Sequence, residues 1–271
     1  MNPVQAGLGV ASGVLVGFTL GLVGGGGSIL AVPLMVYLVG LRDAHVAIGT
    51  SAAAVAVNAL AGLASHARAH TVRWRCAAVF AAAGVLGALL GAHAGKIVGG
   101  QRLLLAFAVL MVGVGVLMLR GRDGAGDPDA TCTRDNAGRI AGTGLATGLL
   151  SGFFGIGGGF LIVPGLMAST GMPILNAVGT SLVAVAVFGF STTASYALSG
   201  LVDWPLAGLF VAGGVAGSLG GTRAARRLAG SRGALARVFA CVIFVVAFYM
   251  IWRGWYSIVA GVGNENTPKR L

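Results

Sequence analysis

Charge is what this sequence has least of. Only 9% of its 271 residues are Asp, Glu, Lys or Arg, while 56% are hydrophobic. Mean hydropathy is +0.91. So few polar residues cannot clothe a soluble globule of this size, and the chain belongs in lipid. Acidic residues are scarcest, at 7, and no buried carboxylate relay is visible. Cysteine is also rare. Cys76, Cys132 and Cys241 are odd in number and lack metal-like spacing, so the expectation is neither a disulfide framework nor a zinc site. No Ser/His/Asp set, Walker loop or metal motif occurs. The glycine clusters lack the GxxxxGK[ST] pattern and a soluble strand before them, which argues against nucleotide binding. An enzyme is therefore not expected, nor a cofactor.

The net charge of +11 does not point to nucleic acid, because the basic residues lie in short clusters between apolar runs and read as topology signals. The first apolar run lacks the positive flank of a secretory signal, so it is expected to remain as the first helix.

Glycine is plentiful at 48 copies, as suits helices whose backbones approach closely in lipid. Its placement reveals an internal repeat. GGGGSILAVP at 24–33 resembles GIGGGFLIVP at 155–164, a shift of 131 positions. Downstream the shift is 130: Gly49-Thr50-Ser51 matches Gly179-Thr180-Ser181, Trp74 matches Trp204, and Gly84, Gly87 and Gly91 match Gly214, Gly217 and Gly221. Ordered agreement at four places divides the chain into a first membrane repeat (1–120), a linker (121–139) with four Asp in an aqueous loop, a second repeat (140–256) and a tail (257–271).

Each half divides into five apolar segments: 6–23, 28–41, 44–66, 75–95 and 102–119, then 140–154, 160–171, 174–198, 205–222 and 237–254. Segments of about 18 to 25 residues span a hydrocarbon core of ~30 Å, but the second of each half reaches only about 20 Å and either spans or re-enters. The expected fold is an all-α integral membrane protein of two inverted repeats, each of about five transmembrane or re-entrant helices, with Gly-rich breaks between the first two. Inversion follows from the positive-inside rule. It gathers twelve of the 18 Lys and Arg on one face, whereas parallel halves divide them eight against ten. The loops HARAHTVRWR and TRAARRLAGSR then face the cytoplasm and both termini the periplasm.

The glycine runs are the candidate site. Gly24, Gly25, Gly26, Gly27 and Ser28, with Gly155, Gly157, Gly158 and Gly159, cannot continue as regular helix cheaply, at about 1 kcal/mol per Gly. Non-helical backbone at membrane depth persists only when buried in protein or lining a cavity. A helix starting after such a turn aims N–H groups and partial positive charge at it, which suits an anion. Thr50, Ser51, Thr180 and Ser181 begin the third segments and offer hydroxyls without the desolvation cost of a charge, although such residues also bond their own helices. Asn58 lies well inside a long segment, with a helix–helix hydrogen bond as its competing role. Pro33 and Pro164 are expected to shape the short segments structurally. His45, His66 and His93 fall near predicted segment ends, and Asp203 borders a loop.

The paired Gly-rich motifs ending in Val32-Pro33 and Val163-Pro164, each followed by Gly-Thr-Ser, resemble the sulfite exporter TauE/SafE family, also called the toluene sulfonate uptake permeases. Ser28 departs from the pattern, since the family commonly has a third glycine there. The resemblance implies transport of sulfite, sulfonates, sulfoacetate or related anions across a bacterial inner membrane. Its partners would be a small anion, the lipid bilayer and a coupling proton or ion. An alternating-access carrier with a midplane site is the leading expectation. An anion channel is its nearest competitor, and a membrane enzyme or assembly protein lacks a supporting cluster.

Overall fold

The computed structural model describes residues 3–120, 132, 134–154, 159–228, 237, 240–241, 243–249 and 251–252. The chain begins with α1 (Pro3–Val23), its proline in the first turn, where no amide donor is needed. At the four-glycine run α1 gives way to a tight 3₁₀ segment (Gly24–Leu30), a single α-turn, α2 (Ala31–Pro33), and a widened π segment (Leu34–Leu38). Then follow α3 (Ala44–Arg68), α4 (Trp74–Ile97), α5 (Gly100–Arg120), α6 (Arg134–Phe154), α7 (Gly159–Thr170), α8 (Ile174–Ala197) and α9 (Trp204–Leu228). The described elements are helical. Among the described residues, five stretches are long and apolar enough to cross a membrane: Pro3–Leu38, Ala44–Arg68, Trp74–Ile97, Ile174–Ala197 and Trp204–Ala225. The chain is thus an all-α, multi-pass membrane protein.

Local sequence fixes several boundaries. The Asp43 carboxylate caps α3, accepting from the amides of His45 at 2.8 Å and Val46 at 3.4 Å. Asp203 caps α9, its Oδ1 accepting from the Leu206 amide at 3.1 Å. Pro173, with ψ of 150°, starts α8 from an extended backbone.

Packing depends on backbone approach. A Cβ on Gly17 of α1 would meet the Gly214 carbonyl of α9, and a Cβ on Gly148 of α6 would meet the Gly84 carbonyl of α4. Along α1 and α9 residue numbers rise together, from Gly13 beside Phe210 to Gly21 beside Ser218, so the helices are parallel. Helices α4 and α6 are parallel in the same way, from Gly144 beside Phe80 to Gly152 beside Ala88. In contrast α3 and α8 are antiparallel: Gly49 meets Tyr196, Gly189 meets Ala56 and Gly62 meets Leu182. Helix α9 follows α3, Asp203 lying at Thr50 and Gly214 at Asn58. Helix α4 follows α8, Arg73 lying at Thr180 and Gly84 at Phe188. Hence α1, α3 and α9 run one way and α4, α6 and α8 the other.

One expectation is corrected. Cys76 and Cys132 form a disulfide with Cα atoms 5.4 Å apart, and Cys241 is a free, exposed thiol. Their separation of 56 residues gives no hint of pairing. The pairing follows from the parallel contact of α4 and α6, which brings the first turn of α4 beside the residues leading into α6.

Candidate functional site

The site is built where the chain reverses after α1. Gly24 takes φ of +65°, a left-handed conformation that costs a residue with a Cβ, and it turns the chain back. Three residues on, the backbone already lies against α1: a Cβ on Gly27 would meet the backbone of Thr19 and Leu20. The Thr19 hydroxyl is 3.3 Å from the Gly27 carbonyl. Ser28 Oγ donates to the Gly25 carbonyl at 2.8 Å, tying the turn to itself. The short segment beyond is bent by Pro33, which ends α2 ahead of the π segment. In the second half Pro164 lies inside α7.

This first hairpin reaches the second half directly. A Cβ on Gly25 would meet the Gly159 backbone and the Val185 side chain, and a Cβ on Gly159 would meet the Gly25 backbone. The two glycine runs therefore touch at Gly25 and Gly159, one from each half. Across this junction the Gly25 amide donates to Ser181 Oγ at 3.0 Å, while Ser181 Oγ donates to the Val178 carbonyl at 2.8 Å. Gly24, Gly25, Gly26, Gly27 and Ser28 are all buried. Gly155, Gly157 and Gly158 lie outside the described residues.

The hydroxyls divide into two kinds. Ser51 and Ser181 bond back to the carbonyls of Ile48 and Val178, three residues earlier. Thr50 and Thr180 reach between halves, as Ser181 also does in accepting from the Gly25 amide. Thr50 Oγ1 accepts from the Asp203 amide at 2.9 Å, and Thr180 Oγ1 accepts from the Arg73 amide at 3.0 Å. These bonds occupy matching positions, each threonine receiving the amide just before a helix of the other half. All four side chains are fully buried.

Asn58 is also fully buried, lies on the α3 face that meets Gly214, and has neither Oδ1 nor Nδ2 hydrogen-bonded within the described structure. The interhelical hydrogen bond expected for it is not formed. At the matching position of the second half stands Phe188, stacked with Phe80 at a centroid distance of 6.3 Å.

Sequence reasoning passed over two buried groups at opposite ends of the α3–α8 pair. His66 is wholly enclosed, its Nδ1 3.0 Å from Thr71 Oγ1 and its Nε2 3.3 Å from the Gly21 carbonyl. Its counterpart at the 130-residue shift, Tyr196, is likewise enclosed. Lys96 Nζ lies 5.3 Å above the Tyr196 ring and donates to the Ser195 carbonyl at 2.7 Å. His66 is the last aromatic of an apolar run, and proximity to a helix end hid its burial. The repeat offered a signal, since its partner position holds another large polar-tipped ring.

The chain is similar to known proteins. A probable membrane transporter protein of Xylella fastidiosa (strain 9a5c) is 52% identical over 257 residues, covering 93% of this chain and 97% of the relative. The probable membrane transporter protein YunE of Bacillus subtilis is 26% identical over 271 residues, covering 92% and 98%. A probable membrane transporter protein of Haemophilus influenzae is 30% identical over 197 residues, covering 69% and 72%. No solved structure matches the chain. Residues 9–250 match the family described as Sulfite exporter TauE/SafE. With Gly25 and Gly159, one from each glycine run, in contact and the family's pattern along residues 9–250, this chain belongs to the sulfite exporter TauE/SafE family of membrane transporters.

Proposed function

We propose that this protein is a secondary transporter of small sulfur-containing anions, such as sulfite, sulfonates or sulfoacetate, across the bacterial inner membrane. Residues 1–120 and 140–256 act as inverted repeats that rock about a site between them. The opposed directions of α1 and α6, and of α4 and α9, support inversion. Both termini face the periplasm, and the basic loops face the cytoplasm.

The meeting of Gly25 and Gly159 carries the reading. Gly25 and Gly159, one from each glycine run, meet inside protein rather than lipid and offer short-range backbone dipoles with no fixed charge. Backbone amides of the turns, with Ser28, Ser51 and Ser181, hold the anion. Neutral donors contribute roughly 0.5–1.5 kcal/mol each, so binding is modest and release is fast. Thr50 and Thr180 tie each third helix to the loop of the opposite half, so that movement at one turn is felt by the other repeat. Asn58 adds a buried amide on one side only, giving the two entry routes different polarity.

Reconstituted protein should take up radiolabelled sulfoacetate saturably and show counterflow, whereas a channel would conduct without either. Thermal stabilisation of the purified protein by sulfite, thiosulfate, sulfonates or sulfoacetate, and not by simple carboxylates, tests the substrate class. Equal response to both classes would overturn it. Reporter fusions at each end test orientation, and a cytoplasmic terminus in active protein would remove the five-plus-five arrangement.

A further inference from the structure

We infer that the Cys76–Cys132 disulfide is a covalent acceptor site for sulfite, opened as sulfite rises and re-formed as it falls. The choice of sulfite rests on the transport reading above, while the direction of the chemistry rests on how the fold holds the two sulfurs.

Those sulfurs are unlike. Cys76 is 1% exposed, the third residue of α4, and lies in one apolar cluster with Phe80, Ala81 and Ile140. Cys132 is half-buried and packs on the edge of that cluster. A nucleophile from water therefore reaches Cys132 Sγ rather than Cys76 Sγ. The departing group is equally one-sided. The amides that open α4 have no carbonyl one turn earlier, and the positive end of the helix stabilises negative charge on a sulfur in its first turn. Disulfide exchange is faster when the leaving sulfur is a stable thiolate. Attack at Cys132 with departure of Cys76 is thus favoured at both ends of the bond. In the proposed orientation this end of α4 faces the cytoplasm, where disulfides that persist are exchangeable rather than structural.

Sulfite carries a lone pair on sulfur, which sulfonates, sulfoacetate and sulfate lack. That pair forms a bond to Cys132 Sγ, the Sγ–Sγ bond breaks, and its electrons leave on Cys76 as a thiolate that takes a proton from water. The sulfite sulfur is oxidised and the Cys76 sulfur reduced, so no other oxidant or reductant is consumed. Cys132 becomes an S-sulfonate. When sulfite falls, the Cys76 thiolate attacks Cys132 Sγ and expels it, restoring the disulfide. The bond that opens lies at a joint between the halves: Arg73, three residues before Cys76, donates its amide to Thr180 of α8 at 3.0 Å. The parallel pair α1–α9 has Leu206 at the position matching Cys76, so this acceptor marks one pair and not its copy.

Cys241→Ser protein, purified without reductant, leaves Cys76 and Cys132 as the chain's cysteines and tests this. Native protein is exposed to ~1 mM sulfite, a concentration typical of a transported substrate, then denatured in N-ethylmaleimide and mapped by peptide mass. The expected product is S-sulfonate on Cys132 with maleimide on Cys76, favoured over the reverse by about tenfold or more. Unfolding in urea before sulfite should reduce that preference to within about twofold, because the helix end and the burial are then gone. Sulfoacetate and sulfate should give no adduct, and desalting before the quench should return the disulfide. A native bond that resists sulfite while the unfolded one is cleaved overturns the inference. So does sulfonation mainly on Cys76, a preference unchanged by urea, an adduct that survives desalting, or maleimide on both cysteines without sulfite. The expected adduct in protein whose proteoliposomes move neither sulfite nor sulfoacetate would instead remove the transport reading and leave the acceptor site standing.

Discussion

At Thr50 and Thr180 a side chain that a membrane helix ordinarily bonds to its own backbone reaches outside it. Each hydroxyl accepts an amide 153 or 107 residues away. The sequence shows both threonines at matching positions but not the amides that donate to them, because a repeat shift relates residues to their copies and not to their neighbours. Thr50→Val and Thr180→Val should each lower stability by about 1 kcal/mol, leaving an amide without its partner, and Thr→Ser should restore it. Thermal unfolding in detergent checks this, and unchanged midpoints in both would mean that water replaces the hydroxyls. Asn58 predicts the opposite sign. Its buried amide lacks a partner among the described residues, so Asn58→Leu should raise stability by about 1–3 kcal/mol while slowing sulfoacetate transport. A rise in stability with full transport would return Asn58 to a packing role.

Among the elements, the breaks were the most legible part of the fold. A glycine run ends α1, and the short segment after it breaks into 3₁₀, α and π turns, whereas α7 stays one continuous helix with Pro164 inside it. Legibility failed where distance in sequence hides contact in space. Cys76 and Cys132 read as unrelated until α4 and α6 proved parallel, and His66 read as an end residue until the reversal at Gly24 brought α1 against it. The parallel pairs also make a symmetric prediction. Gly17→Val should separate α1 from α9, and Gly148→Val should separate α6 from α4, since each new side chain would occupy a backbone position. Both should reduce folded yield severely, to a similar degree. Gly7→Ala, which meets nothing within 4 Å, should be neutral. Normal size-exclusion profiles for either valine variant would refute backbone approach at that crossing.

For the whole molecule, the disulfide crosses the division between halves. Cys76 lies in the first repeat and Cys132 in the segment leading to the second. A protease site inserted between residues 124 and 128 should therefore leave the cut protein as one band on a non-reducing gel and as two after reduction. Two bands without reductant would show the thiols to be unpaired in the purified protein.

The pairing of α1 with α9 has a bearing on biosynthesis. The ribosome delivers α1 first and α9 nearly last, so the glycine-lined face of α1 must wait in the bilayer through almost the entire period of translation. A newly inserted first half is thus an unfinished object, with its close-packing surface open to lipid, and quality-control proteases have their best opportunity then. The two halves, made as separate chains in one cell, should each be short-lived alone and long-lived together, their survival depending on finding one another.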